Sequence, residues 1–332
     1  ASRFAGKPTH PTMATMVANA PAPAASFDTQ HEDMIHDVQL DYYGKRLATC
    51  SSDRIIKIFD VSPDQSQHTF SANIQAHEGP IWQVAWAHPK FGSILASCSY
   101  DRKVCVWKEV QAQHWTKIYE YADHQSSVNA ISFAPHELGL KLACASADGA
   151  ISILTWKGTG DNAWEEKLLP NAHQIGCNAV SWAPAASPAS STTPAPSPVQ
   201  AALVTGGCDG VVKIWKINDA GEVIPDDNFQ NVYKDSAHSG WVRDVAWAPS
   251  VGLPVQTIAS CAEDKMVMIW SQAPGASWVC KRLPPFEAVV WRLSWSLAGN
   301  VLAISAADGK VTLWKEGLDC EWRLLDSIND GA

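Results

Sequence analysis

His77 and Asp101 share a segment with Ser99, which stands two residues before the aspartate. Histidine, carboxylate and hydroxyl are the parts of a nucleophilic hydrolase site, in which imidazole takes the hydroxyl proton and the carboxylate orients the imidazole. The phrase around the histidine, AHEGPIWQVAW (76–86), adds two tryptophans that could wall a small ligand. Nearly the same phrase returns as AHSGWVRDVAW (237–247). A catalytic set occurs once, whereas a recurring phrase is architecture, so the repeat decides what these residues do.

The phrases align on the residue that ends each one. His31 precedes Leu40 by nine residues, and the same interval separates His77 from Trp86, His124 from Phe133, His173 from Trp182 and His238 from Trp247. In a sixth copy Phe286 takes the histidine place before Trp295. Each phrase is followed by a segment ending in aspartate: LATCSSD, LASCSYD, LACASAD, LVTGGCD, IASCAED and LAISAAD. Six residues beyond Asp53, Asp101, Asp148, Asp209, Asp264 and Asp308 stand Phe59, Trp107, Leu154, Trp215, Trp270 and Trp314. Short runs with alternating apolar residues, such as IWQVAW and VCVWK, predict β-strands, and aspartate followed by glycine or a basic residue predicts the turn between the second and third. Four strands per copy with an aromatic closing the third are the signature of WD-repeat β-propeller blades. The predicted fold is all-β, an open six-bladed propeller. The sixteen tryptophans fill the widening gaps between blades.

The resemblance to WD-repeat blades implies a hydrogen-bonded relay in each blade, formed by the loop histidine, a strand serine, the turn aspartate and the third-strand tryptophan. Blade two offers His77, Ser99, Asp101 and Trp107. Blade one offers His31, Ser51 and Asp53, with Phe59 in place of the indole; blade three offers His124, Ser146 and Asp148. Blades four and five offer His173, Asp209 and Trp215, and His238, Asp264 and Trp270, with Gly207 and Ala262 at the expected serine place. The expected role is structural.

Other function classes find no support. A net charge of −9 and a pI near 5.6 argue against a broad surface for nucleic acid. No run approaches the roughly 18 apolar residues needed to span a bilayer, and the N-terminus lacks the pattern of a secretory signal. None of the nine cysteines forms C-x-x-C. Cys50, Cys98 and Cys261 recur three residues before the turn aspartate, which predicts buried thiols in a reducing, intracellular protein. There is no P-loop, KGTGDN (157–162) lacks a dinucleotide-loop context, and no histidines share metal-ligand spacing. No catalytic residue, cofactor or metal is expected.

The predicted organisation is a flexible tail over 1–26, the propeller over 27–328 and a short tail over 329–332. A mobile insert at 184–199 interrupts blade four. Its Pro, Ser, Thr and Ala content forms no core of its own. Deleting 186–197 should leave the melting temperature and partner binding nearly unchanged, because closure entropy varies slowly with loop length. Loss of partner binding on deletion would make the insert part of an interface.

Propellers ordinarily close by lending one terminus to the blade begun by the other, since an unpaired edge is a liability. Here blade one opens with its own first strand near MIHDVQL (34–40), and blade six ends with its own fourth, CEWRLLDSI (320–328). The ring should therefore stay open between blades one and six. Candidate residues of this seam are Ile35, Val38 and Leu40 on one side and Leu293, Trp295, Val311 and Leu313 on the other. A partner adding strands there would complete the ring.

The long phrases FDTQHEDMIHDVQLDYYGKRLATCSSDRIIKIFDV, HEGPIWQVAWAHPKFGSILASCSYDRKVCVWKE and HSGWVRDVAWAPSVGLP closely resemble the Sec thirteen family. The resemblance runs through nearly all of 27–328; the insert, Leu154 and the N-terminal extension depart from it. It implies a non-catalytic scaffold subunit of the COPII vesicle outer coat and of the Y-shaped nuclear pore subcomplex. Its implied partners are the large outer-coat subunit and a scaffold nucleoporin, each with an α-helical solenoid that lends a seventh blade in trans. A nutrient-signalling complex at the vacuole or lysosome is a third association. The implied location is the cytoplasmic face of the endoplasmic reticulum and its vesicles, reached through partners, and the nuclear pore. The alternatives are the sister nucleoporin propeller, or a WD-repeat protein that recognises peptides or assembles ubiquitin ligases.

Overall fold

A computed structural model describes residues 27–64, 67–158, 163–185, 201–218, 220–233, 237–249 and 255–329. The tail predicted over 1–26, most of the insert over 184–199 and most of the tail over 329–332 lie outside them.

Six four-stranded antiparallel sheets follow one another along the chain, each in simple sequential order. Blade one comprises Ile35–Leu40, Arg46–Ser51, Ile55–Val61 and His68–Gln75; blade two Ile81–Trp86, Ile94–Ser99, Val104–Gln111 and His114–Tyr121. Blade three comprises Val128–Phe133, Lys141–Ser146, Ile151–Trp156 and Trp164–Leu169; blade four Cys177–Trp182, Ala201–Gly207, Val212–Ile217 and Val223–Pro225. Blade five comprises Val242–Trp247, Gln256–Ala262, Val267–Gln272 and Val279–Arg282; blade six Val290–Trp295, Val301–Ala306, Lys310–Glu316 and Trp322–Asn329. The fold is a six-bladed β-propeller. Among the described residues one short α-helix, Asp227–Tyr233, interrupts it, placing Phe229 and Tyr233 one turn apart beneath Trp270.

In blades two to five the middle strands are walled by a blade on each face, which explains their composition. Every residue of Ile94–Ser99 is buried, and the small Ala, Ser and Cys side chains let neighbouring sheets approach. Between blades one and two, Ala48, Ile56 and Ile58 meet Val84, Leu95 and Trp107. Each fully buried aliphatic side chain of this kind stabilises the fold by about 1.5–3 kcal/mol.

The turn aspartates act as expected from their neighbours. The residue after each one has a left-handed backbone: Arg54, Arg102, Gly149, Gly210, Lys265 and Gly309, with φ from 64 to 81°. An aspartate Oδ1 accepts the amide two residues on, at 3.0 Å for Asp53 to Ile55 and Asp101 to Lys103, which fixes the turn. At Gly149 a Cβ would also lie 2.4 Å from the His173 carbonyl oxygen, so glycine is required there.

Candidate functional site

The loop histidines stand over the turn aspartates of their own blades. His77 Nδ1 lies 2.9 Å from Asp101, and the corresponding distances are 2.6 Å for His31 to Asp53 and 3.0 Å for His124 to Asp148, His173 to Asp209 and His238 to Asp264. The hydroxyl partner differs from the sequence expectation. His77 Nε2 meets Ser97 at 2.8 Å, not Ser99. Ser99 instead accepts the Asp101 amide and donates to the Gly79 carbonyl, and Ser51 and Ser146 brace their own turns in the same way.

The hydroxyl therefore stands four residues before the aspartate: Thr49, Ser97, Thr205 and Ser260 in blades one, two, four and five. In blade three that place is Cys144, and Ser152, directly opposite on the third strand, meets His124 at 3.0 Å. Blades four and five lack nothing, because Gly207 and Ala262 occupy the bracing place. A Cβ at Gly207 would fall 2.2 Å from the His173 ring, so no side chain fits. Trp107, Trp215 and Trp270 donate their indole N–H to Ser97, Thr205 and Ser260 at 2.9–3.0 Å. In blade six Phe286 replaces histidine, and Trp314 donates to Thr312.

The neutral Nδ1–H histidine tautomer satisfies every hydrogen in the chain from tryptophan through hydroxyl and imidazole to carboxylate. Burial pushes the Asp101 carboxyl up, but the hydrogen bond from His77 and the amides of Glu78 and Lys103 outweigh it, leaving Asp101 at about 2. The five histidine side chains are at most 1% exposed, and the hydroxyl already receives the indole proton in the blades that have one. A substrate could not reach this hydroxyl. The arrangement braces a blade.

Burial likewise pushes the thiols of Cys50, Cys98 and Cys261 well above their ordinary range, opposing thiolate chemistry. Among the described residues no group of three or more His, Cys, Asp or Glu could hold a metal ion. No helix among them is long and apolar enough to cross a membrane.

The blade junctions are not alike. Apolar clusters fill five of them, one–two through five–six, and none joins six to one among the described residues. Polar clasps near the axis repeat the pattern. Asp37 accepts the Val84 amide at 3.2 Å, Gln83 that of Ile131 at 2.8 Å and Asp244 that of Leu293 at 2.8 Å. Asn129 and Asn178 donate to the Cys177 and Val242 carbonyls of the following blades. Trp86, Trp182 and Trp295 reach back to the carbonyls of Gln39, Ser132 and Ala246 at 2.9–3.1 Å. Among the described residues, no hydrogen bond or ion pair of either kind links blade six to blade one.

The two walls of that junction follow from register, because directly paired residues share a sheet face. On blade one, Val38 pairs with Thr49 and Leu40 with Leu47, on the face turned from blade two; Ile35 pairs with Ser51. Ile35, Val38 and Leu40 are 42%, 53% and 49% exposed. On blade six, Ala303 pairs with Leu313 and Ser305 with Val311, turned away from blade five. Leu293 and Trp295 correct the sequence expectation: both pack into the five–six cluster, and Leu293 is buried. A bulge between Val290 and Arg292 resets the faces of that strand, so Arg292 and Ser294 point to the open side. Part of the blade-one wall is covered by the chain itself. Phe27 meets Phe59 edge-on at 5.2 Å and stacks on His68, and Lys57 donates to the Thr29 and Gln30 carbonyls.

Comparison with known proteins gives this geometry a family. The profile described as "WD domain, G-beta repeat" matches residues 23–60, 65–108, 115–154, 229–271 and 280–315, leaving out blade four with its insert. The chain is 50% identical to the "Protein SEC13 homolog" of Drosophila melanogaster, covering 89% of this chain and 81% of that protein. The chain belongs to the SEC13 family. It is also 45% identical to "Protein transport protein SEC13" of Mycosarcoma maydis (92% and 94% covered) and 47% identical to "Protein transport protein sec13" of Emericella nidulans (90% and 96%). SEC13 homology indicates a role in protein transport, and WD-repeat propellers of this kind are typically non-catalytic.

Proposed function

We propose that this SEC13-family chain is a structural subunit of the COPII outer coat, whose open junction receives a small sheet from a solenoid partner. The supporting observation is the six–one junction, which among the described residues has neither the apolar cluster nor the clasps of the other five. Apolar faces of a blade's size mark partner sites when left bare. The occupant is a sheet that pairs its own strands and stacks on both walls, within the space left by the Phe27 segment. The large outer-coat subunit is the first such partner. A scaffold nucleoporin of the Y-shaped pore complex and a nutrient-signalling complex at the vacuole or lysosome would use the same opening. The chain would then lie at the cytoplasmic face of the endoplasmic reticulum and its vesicles, and at the nuclear pore, reaching membranes only through partners.

The test is co-expression with a large outer-coat subunit of a related organism, with and without that subunit's blade-forming segment. A complex that co-migrates on gel filtration and melts above the free chain is expected, because a partner binding only the folded state stabilises it by mass action. A complex that survives deletion of the segment would overturn in-trans blade insertion, as would no complex at all.

A further inference from the structure

We propose that Arg292 is a charge latch: a positioning residue that holds the first strand of blade six toward blade one across the open junction at the propeller axis. It stands three residues before the end of its strand, the place of Asp37, Gln83 and Asp244 in blades one, two and five. Those three accept a backbone amide of the following blade. In blades three and four the place is Ala130 and Ala179, and the preceding Asn129 and Asn178 act instead. Blade six alone clasps no following blade among the described residues, and it is the blade that carries arginine at this place.

The side-chain type suits the wider gap. A hydrogen bond needs its atoms within about 3.2 Å, whereas the attraction between charges falls only as the inverse of distance. Guanidinium is long and stays charged. Asp37 already clasps blade two, and Asp244 clasps blade six itself, so both carboxylates are fixed at the axis. Burial pushes both up, Asp244 to about 6, and Arg292 is the positive charge that opposes this at each. Burial at Arg292 is in turn outweighed by Asp244 and Asp37, and its proton is held more tightly than usual. The latch thus joins blades five, six and one without a direct bond between six and one.

The isolated full-length chain provides the test, independent of any partner. Spin labels at exposed Thr69 and Ser327, on the outer strands of blades one and six, report the width of the opening. Labels at Thr69 and Thr116 report the closed one–two junction as a control, with Cys208, Cys280 and Cys320 replaced by serine throughout. The native chain should give a narrow cross-seam distribution. Arg292→Met should broaden it and shift it to longer distance, leaving the control pair unmoved. Arg292→Lys should keep it near native, and Asp37→Asn should widen it on its own if Arg292→Met fails to fold. An unchanged cross-seam distribution in Arg292→Met or, should that variant not fold, in Asp37→Asn would overturn the latch. Equal broadening of both label pairs would reduce Arg292 to general packing and would equally overturn it.

Discussion

Asp101→Ala is expected to destabilise the propeller by about 1–3 kcal/mol, the range for stranding buried hydrogen-bond partners. The carboxylate accepts from His77 at 2.9 Å, from the Glu78 amide at 3.0 Å and from the Lys103 amide at 3.0 Å, so one substitution removes three acceptor contacts. His77 is wholly buried at its side chain and finds no replacement from water. The melting temperature should fall by roughly 1.5–5 °C for a chain of this size. The effect must depend on pH with a definite sign. The Asp101 carboxyl sits at about 2 in the folded chain, below its ordinary 3.8, so its contribution is present above about pH 4 and is lost as the pH falls toward 2. Solvent at the turn screens part of this contribution. Thermal melts at pH 7 and pH 3 therefore separate the variants: the gap between native and Asp101→Ala should narrow at the lower pH. The double variant His77→Leu with Asp101→Ala should cost less than the sum of the singles, because it removes both partners together. Strict additivity would show that the two residues do not act as a unit.

The blades were legible because their signals are local and repeated. Alternating apolar runs mark strands, and an aspartate before a left-handed residue marks the turn. The hydroxyl of the relay was misplaced for a physical reason: Ser97 and Ser99 lie on one face of one strand, so a period of two cannot choose between them. They are about 6.8 Å apart along the strand, and only the position of the histidine ring decides. Ser152 was less visible still, since it reaches His124 from the next strand through its pairing with Cys144. Leu293 and Trp295 hold the repeat places of Val38 and Leu40, which face the preceding blade; on blade one that side is the open junction, whereas on blade six it is blade five. Among the six residues ending first strands, Leu40 alone is not aromatic, and it faces the open junction.

Val38→Glu and Leu313→Glu are each expected to weaken association with the proposed outer-coat partner at least about 100-fold, or about 2.8 kcal/mol, with the fold intact. The size follows from where the charges would be placed. Val38 is half-exposed on blade one, and Leu313 lies on the outward face of blade six, so neither substitution disturbs a packed cluster in the free chain. Stacking a sheet between the walls would bury a carboxylate without a partner, and the desolvation penalty of an unpaired buried charge runs to several kcal/mol. Melting temperatures of the free variants should stay close to native, since surface substitutions usually change stability by less than about 0.5 kcal/mol. Leu168→Glu is the matched control. It sits on the outer strand of blade three, is 46% exposed and lies away from the junction. Titration calorimetry with a blade-bearing fragment of the partner distinguishes the outcomes. If Val38→Glu and Leu313→Glu bind like the native chain while Leu168→Glu does not, the partner grips the rim of the propeller and the open junction is not its seat. Loss at Val38 alone would place the partner on blade one without spanning to blade six. Only loss at both walls, with Leu168→Glu binding normally, fits a sheet that fills the gap.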